Sequence, residues 1–100
     1  MLKKLDQLQN RIGEIESLLV DSETLKDIEK YTLLNKEFAE LKPIVDKFEE
    51  YNQVAKNISD ANEIIESGDQ ELKNLAEEEI KKVEGRPEIL EKELKLMLLP

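Results

Sequence analysis

Apolar side chains recur every three or four residues through almost the whole chain, and this spacing is the strongest constraint on the fold. In the first segment the apolar positions are Leu2, Leu5, Leu8, Ile12, Ile15, Leu18 and Leu19. Steps of three and four place these side chains on one face of an α-helix, whereas a half-buried strand requires strict alternation. No stretch of the sequence alternates in that way. The sequence therefore predicts an all-α fold.

A second apolar stripe continues over about 40 residues in the middle of the chain. Its members are Leu25, Ile28, Tyr31, Leu34, Phe38, Leu41, Val45, Phe48, Tyr51, Val54 or Ala55, Ile58, Ala61 and Ile65. Pro43 removes one backbone donor within this stripe, yet the stripe keeps its phase on both sides. We therefore expect a kink, or a break with a new helix that starts at Pro43, and no sharp reversal. The stripe assigns its aromatic residues, together with Leu34 and Leu41, to the core.

Two groups of polar residues indicate turns between the stripes. Thr24 followed by Asp27 resembles a capping box, which predicts a helix beginning near residue 24. Gly68 is typical of a left-handed position that ends a helix, and Asp69 is suited to cap the next one.

A third stripe follows the Gly68 turn, with Pro87 marking a second kink or a short break. Its apolar residues are Leu72, Leu75, Ala76, Ile80, Val83, Leu90, Leu94, Met97 and Leu98.

These segments predict helices over about residues 2–20, 24–66 and 69–98. Short connections make neighbouring helices antiparallel. We therefore expect an antiparallel three-helix bundle extended by a two-helix, coiled-coil-like arm that ends at Gly68. The chain is expected to be a single helical domain over residues 1–100, and its Leu98-Leu99-Pro100 ending is typical of a boundary with a further domain.

The composition excludes several kinds of chemistry. The chain has no Cys and no His, so it has no thiolate nucleophile, imidazole base or Cys-based zinc site. With 15 basic and 24 acidic residues its net charge is −9, which argues against direct DNA binding. No apolar run is long enough to span a membrane, and the N-terminus does not resemble a signal peptide. We expect a cytoplasmic protein with no catalytic, cofactor-binding or metal site.

Three further features have competing interpretations. Glu77, Glu78 and Glu79 are consecutive in a helix and point in different directions, so a solvated face is favoured over a metal site. Gly13 is either exposed and tolerated or a point where another helix approaches closely. The apolar patch of Leu96, Met97, Leu98 and Leu99 is a possible dimerisation surface for the isolated segment. A self-associating helical scaffold is therefore an alternative function.

Several modest motifs occur in an order that points to a known family. They are Ile15 to Leu19, Tyr31 to Leu41, Pro43-Ile44-Val45, Phe48 with Tyr51, Ile64 to Asp69, Leu75 to Ile80, Leu90, Leu94 and the Leu98-Leu99-Pro100 ending. In this order and spacing the chain resembles the N-terminal helical domain of bacterial class I peptide-chain release factors. The similarity is greater to the branch that reads UAA and UAG.

The resemblance implies a role in translation termination without chemistry in this segment. In the family, a Gly-Gly-Gln loop in a later domain promotes hydrolysis of peptidyl-tRNA, and a separate domain carries the tripeptide that reads the stop codon. Neither motif is present here. The resemblance implies that this domain contacts the stalk base of the large ribosomal subunit and is linked to the class II GTP-binding release factor. The family's remaining domains would be its other partners.

Overall fold

The computed structural model describes all 100 residues and contains α-helices only. The helices are α1 (Leu2–Leu19), α2 (Ser22–Lys26), α3 (Ile28–Ser67), α4 (Gln70–Lys82) and α5 (Arg86–Met97). The chain divides into two compact units, Met1–Lys47 and Phe48–Pro100. The prediction of an all-α helical fold is confirmed.

The first unit is built from α1, α2 and the N-terminal part of α3. Its buried residues are Leu5, Ile12, Ile15, Thr24, Leu34 and Val45. The three buried residues of α1 lie on the apolar stripe seen in the sequence, and Gly13 between them is exposed. A methyl group at Gly13 would have no atom within 4 Å. The exposed interpretation of Gly13 is therefore confirmed.

The helix that was expected to begin at residue 24 begins later. Asp21 caps the short α2 by accepting a hydrogen bond from the Glu23 amide at 2.9 Å. Asp27 is in an extended conformation and caps α3, because its Oδ1 accepts a hydrogen bond from the Lys30 amide at 3.1 Å. Thr24 lies inside α2 and is fully buried. The prediction of a capping box at Thr24 was wrong, because Asp21 caps α2 and Asp27 caps α3.

This break changes which side chains are buried at the beginning of the second stripe. Leu25, Ile28 and Tyr31 are exposed, and the extended backbone at Asp27 separates Leu25, which lies in α2, from the other two in α3. Farther along α3, Leu34 is buried but Leu41 is only half-buried. The assignment of Tyr31 to the core was therefore wrong, that of Leu41, Phe38 and Tyr51 holds only in part, and that of Phe48 is confirmed.

Pro43 does not interrupt α3. The helix runs unbroken from Ile28 to Ser67 with Pro43 inside it and exposed at the surface. The absence of a chain reversal at this proline agrees with the sequence prediction.

The second unit contains the C-terminal part of α3, then α4 and α5. Its buried residues are Phe48, Ala61, Ala76, Leu90 and Leu94. Residues equally far from Gly68 along the chain lie close together, as Glu50 and Arg86 do through a hydrogen bond. Asn57 and Glu79 likewise line one groove. The chain therefore returns antiparallel to α3 after Gly68, as predicted.

The turn at Gly68 needs glycine because of crowding, not because of a left-handed backbone. The only positive φ in the chain is at Gly85, so the left-handed assignment of Gly68 was wrong. A Cβ at Gly68 would lie 2.6 Å from the Ile64 carbonyl oxygen. Asp69 caps α4 as predicted, because its Oδ1 accepts a hydrogen bond from the Leu72 amide at 2.9 Å.

Gly85 divides the expected last helix into two. Its φ of +79° is left-handed and closes α4 before α5 begins at Arg86. Pro87 then occupies the first turn of α5, where the missing amide costs no hydrogen bond. Of the two alternatives near Pro87, the short break is confirmed, and the single kinked helix over residues 69–98 is corrected to two helices separated by a short turn.

Replacing Gly13 or Gly68 by alanine should change the free energy of unfolding in opposite directions. Gly13→Ala should stabilise the protein by about 0.5–1 kcal/mol, because alanine has a higher helix propensity than glycine at an exposed position inside a helix. Gly68→Ala should destabilise it by about 1–3 kcal/mol, because the methyl group meets the Ile64 carbonyl. Urea denaturation of both variants measures the difference. Equal effects would show that crowding at Gly68 does not determine this turn.

Leu34 and its neighbour Leu33 test which face of α3 is buried. Leu34 is 7% exposed and Leu33 is 69% exposed. Leu34→Ala should reduce the free energy of unfolding by about 2–5 kcal/mol, since it removes buried methyl groups and leaves a cavity. Leu33→Ala, measured by the same denaturation, is the matched control and should change stability little. A loss below about 0.5 kcal/mol for Leu34→Ala would mean that the face is wrongly assigned.

Candidate interaction surfaces

The acidic side chains of the protein do not converge on a reaction or metal centre. No group of three or more His, Cys, Asp or Glu residues is arranged to hold a metal ion. Glu77, Glu78 and Glu79 are all exposed on α4, and Glu79 pairs with Lys82 at 3.0 Å. The solvated-face interpretation of this run is confirmed. None of the helices combines the length and apolar character that crossing a membrane requires.

A charged cluster joins α1 to α3 in the first unit. Arg11 Nε donates to both carboxylate oxygens of Glu37, at 3.1 and 2.9 Å, and Arg11 Nη1 donates to Glu14 at 3.1 Å. The hydrogen bond to Glu37, and then that to Glu14, raises the pKa of the Arg11 guanidinium above its ordinary value. Because both carboxylates are already engaged by this arginine, the cluster is best explained as a link between helices.

A second charged link lies in the second unit. Arg86 donates to Glu50 Oε2 through Nε at 2.9 Å and through Nη2 at 2.6 Å. Arg86 is the first residue of α5, so this pair ties the beginning of α5 to α3. No helical spacing or capping motif predicts this pair, because the two residues are 36 positions apart.

An apolar groove lies between α3 and α4, and we call it the hairpin groove. Its floor and walls are Ala61 and Ile64 of α3 with Leu72, Leu75 and Ala76 of α4, and its volume is about 430 Å³. The two alanines are buried, whereas the three larger side chains remain largely exposed. Asp60 and Glu79 lie at its edges. The groove is thus an accessible apolar surface with acidic margins.

The sequence placed Ala61, Leu72, Leu75 and Ala76 on the apolar stripes, which is correct for the two buried alanines, but it did not include Ile64. The stripe pattern identifies the face of each helix but does not show whether a neighbour covers it. The useful signal was the pair of small residues, Ala61 and Ala76, at matching distances from the Gly68 turn. Small side chains let two helices approach and leave a depression between larger flanking residues.

The predicted dimer surface near the C-terminus is only partly exposed. Leu96 and Leu99 are exposed and, with Lys92 and Lys95, line a shallow depression of about 370 Å³. Met97 and Leu98 are half-buried. Dimerisation through these residues stays a prediction, and a molecular mass independent of concentration would count against it.

One more apolar surface occurs at the start of α3. Ile28 and Leu33 are exposed and, with Glu29 and Thr32, line a depression of about 400 Å³. The sequence placed Ile28 in the core, so this surface was missed.

The chain is thus an all-α protein with open apolar surfaces on its helices. Comparison with known proteins identifies the family. The model of the PCRF domain matches residues 8–100. The chain is also 36% identical, over all 100 residues, to the protein named peptide chain release factor 1 from Nitratidesulfovibrio vulgaris (strain DP4). The chain covers 28% of the length of that relative. No solved structure matches.

This chain therefore belongs to the PCRF domain family, and its predicted resemblance to bacterial class I peptide-chain release factors is confirmed.

The Glu50–Arg86 pair should stabilise the fold only modestly, and its contribution should depend on the salt concentration. Both side chains are about 40% exposed, so solvent screens their attraction. A double-mutant cycle with Glu50→Gln and Arg86→Gln should give a coupling free energy of at most about 1 kcal/mol at low salt. Thermal unfolding at 50 and 500 mM NaCl should show that this coupling shrinks as salt rises. A coupling unchanged by salt would contradict the screened, exposed geometry.

Proposed function

We propose that this chain is an accessory domain of a translation termination factor and that it binds the ribosome. The observation that carries the proposal is the 36% identity, along the entire chain, to a protein named peptide chain release factor 1. The match over residues 8–100 to the PCRF domain supports the same assignment. As a part of such a factor, the domain would act in the cytoplasm as the N-terminal portion of a longer, multidomain protein.

In this proposal the domain performs neither hydrolysis nor codon recognition. The chain has no Gly-Gly pair, because its three glycines are separated at positions 13, 68 and 85. Its surfaces have carboxylates but no His or Cys to act with them. Peptide release would therefore depend on other parts of the factor, and this domain would supply binding and orientation. It would not be an enzyme.

The charge of the chain favours a protein contact on the ribosome over a contact with RNA. At a net charge of −9 the domain is repelled by phosphate groups and attracted by basic protein surfaces. This is consistent with a contact at the stalk base of the large subunit, where ribosomal protein is accessible, and with an effect on the class II GTP-binding factor. The alternative of a self-associating scaffold has no support beyond the exposed Leu96 and Leu99.

Ribosome binding and its salt dependence test this function. The 100-residue chain, fluorescently labelled, should cosediment with 70S ribosomes at 50 mM salt and bind more weakly at 300 mM, because salt screens attraction to a basic partner. Binding that strengthened with salt would contradict attraction between opposite charges. No binding at either concentration would contradict the proposed function.

The same chain should fail to release peptide. Added to ribosomes stalled at a stop codon with labelled peptidyl-tRNA, it should give no release above the rate without factor. A relative such as the full-length release factor of Nitratidesulfovibrio vulgaris serves as the positive control. Stop-codon-dependent release by this chain alone would contradict the assignment of hydrolysis to other domains.

A further inference from the structure

We propose that the hairpin groove is the surface through which the domain binds its partner, and that the occupant is a short basic protein segment with apolar side chains. This inference rests on the proposed function and adds the location and the chemistry of the contact. It distinguishes one surface of the second unit from the other exposed apolar surfaces of the chain.

The first argument is the shape of the hairpin groove. Ala61 and Ala76 are buried at its floor, while Leu72 and Leu75 are 48% and 54% exposed along one side. From Asn57 to Ile64 the groove follows about 10 Å of α3, given a rise of 1.5 Å per residue. That length accommodates about two turns of a helix. An amphipathic helix that lays its apolar face in such a groove is a recurring mode of peptide recognition.

The second argument is the charge around the hairpin groove. From Lys56 to Lys82, the lysines that flank the groove along the chain, the sequence contains eight acidic residues and four lysines, for a net charge of −4. Asp60 and Glu79 are exposed at the edges themselves, where Lys56 pairs with Asp60 at 3.5 Å and Lys82 pairs with Glu79 at 3.0 Å. The flanking lysines therefore compensate part of the acidic charge, and an excess of negative charge remains. A partner with Lys or Arg beside its apolar residues complements these margins, whereas a nucleic acid backbone or an acidic peptide is repelled by them.

The other apolar surfaces lack this combination. The depression at Leu96 and Leu99 is flanked by Lys92 and Lys95, so its margins are basic. The depression at Ile28 and Leu33 has the single carboxylate of Glu29 among its lining residues. Of these three surfaces, only the hairpin groove combines an apolar floor with an excess of negative charge.

A lysine placed in the hairpin groove tests the proposal. Leu75→Lys introduces a positive charge and removes apolar surface at an exposed position. Ile89→Lys makes the same change at a similarly exposed residue, 49%, of the second unit that does not line the groove. Circular dichroism and thermal unfolding should show that both variants keep the helical fold. Binding of each labelled variant to 70S ribosomes is then measured by cosedimentation at 50 mM salt.

The proposal predicts that Leu75→Lys weakens ribosome binding at least tenfold and that Ile89→Lys changes it by less than twofold. A second variant, Glu79→Gln, should weaken binding at 50 mM salt and make it less sensitive to salt. Equal affinities for Leu75→Lys and Ile89→Lys would overturn the groove assignment while leaving the proposed function intact. Tighter binding of Leu75→Lys would overturn it in favour of an RNA contact. If the unmodified chain does not bind ribosomes, the proposed function itself fails, and the groove assignment fails with it.

Discussion

The need of α3 to bury its apolar face is the constraint on which the rest of the structure depends. A 40-residue helix in water is stabilised mainly by packing of such a face, not by intrinsic propensity. The chain has no Cys for a disulfide. Burial must therefore come from α1 and α2 in the first unit and from α4 and α5 in the second. The charged links of Arg11 with Glu37 and of Arg86 with Glu50 add small, solvent-screened contributions where those helices meet α3.

The hairpin groove follows from the same constraint where burial is incomplete. The crowded turn at Gly68 brings α4 back along α3, and the alanines at 61 and 76 permit a close approach. The larger side chains beside them stay partly exposed to solvent. An exposed apolar surface of this kind costs free energy in the isolated chain, and a binding partner recovers it. Concentrated negative charge beside it adds selectivity for basic protein surfaces and keeps phosphate groups away.

The sequence predicted the helical class, the end of α1, the return at Gly68 and the Asp69 cap, because periodicity and capping chemistry are local. It misplaced the beginning of α3, since Asp21 and Asp27 are as suitable for capping as Thr24 and only the tertiary structure selects between them. It assigned the left-handed position to Gly68, whereas the structure has it at Gly85, because close approach and a left-handed backbone both favour glycine. It also treated apolar positions such as Tyr31 and Leu75 as core. The periodicity identifies the apolar face of each helix, but whether that face is buried depends on which other helices pack against it, and the pattern does not contain this information.

Site-specific photocrosslinking on the ribosome tests the central claim most directly. A photoreactive side chain in place of Leu72 lies in the hairpin groove and reports what occupies it. After irradiation with 70S ribosomes, nuclease and protease treatments separate RNA-linked from protein-linked products, and mass spectrometry identifies the attached peptide. The account predicts a crosslink to a ribosomal protein segment in which Lys or Arg residues flank apolar ones. A crosslink predominantly to ribosomal RNA would contradict it.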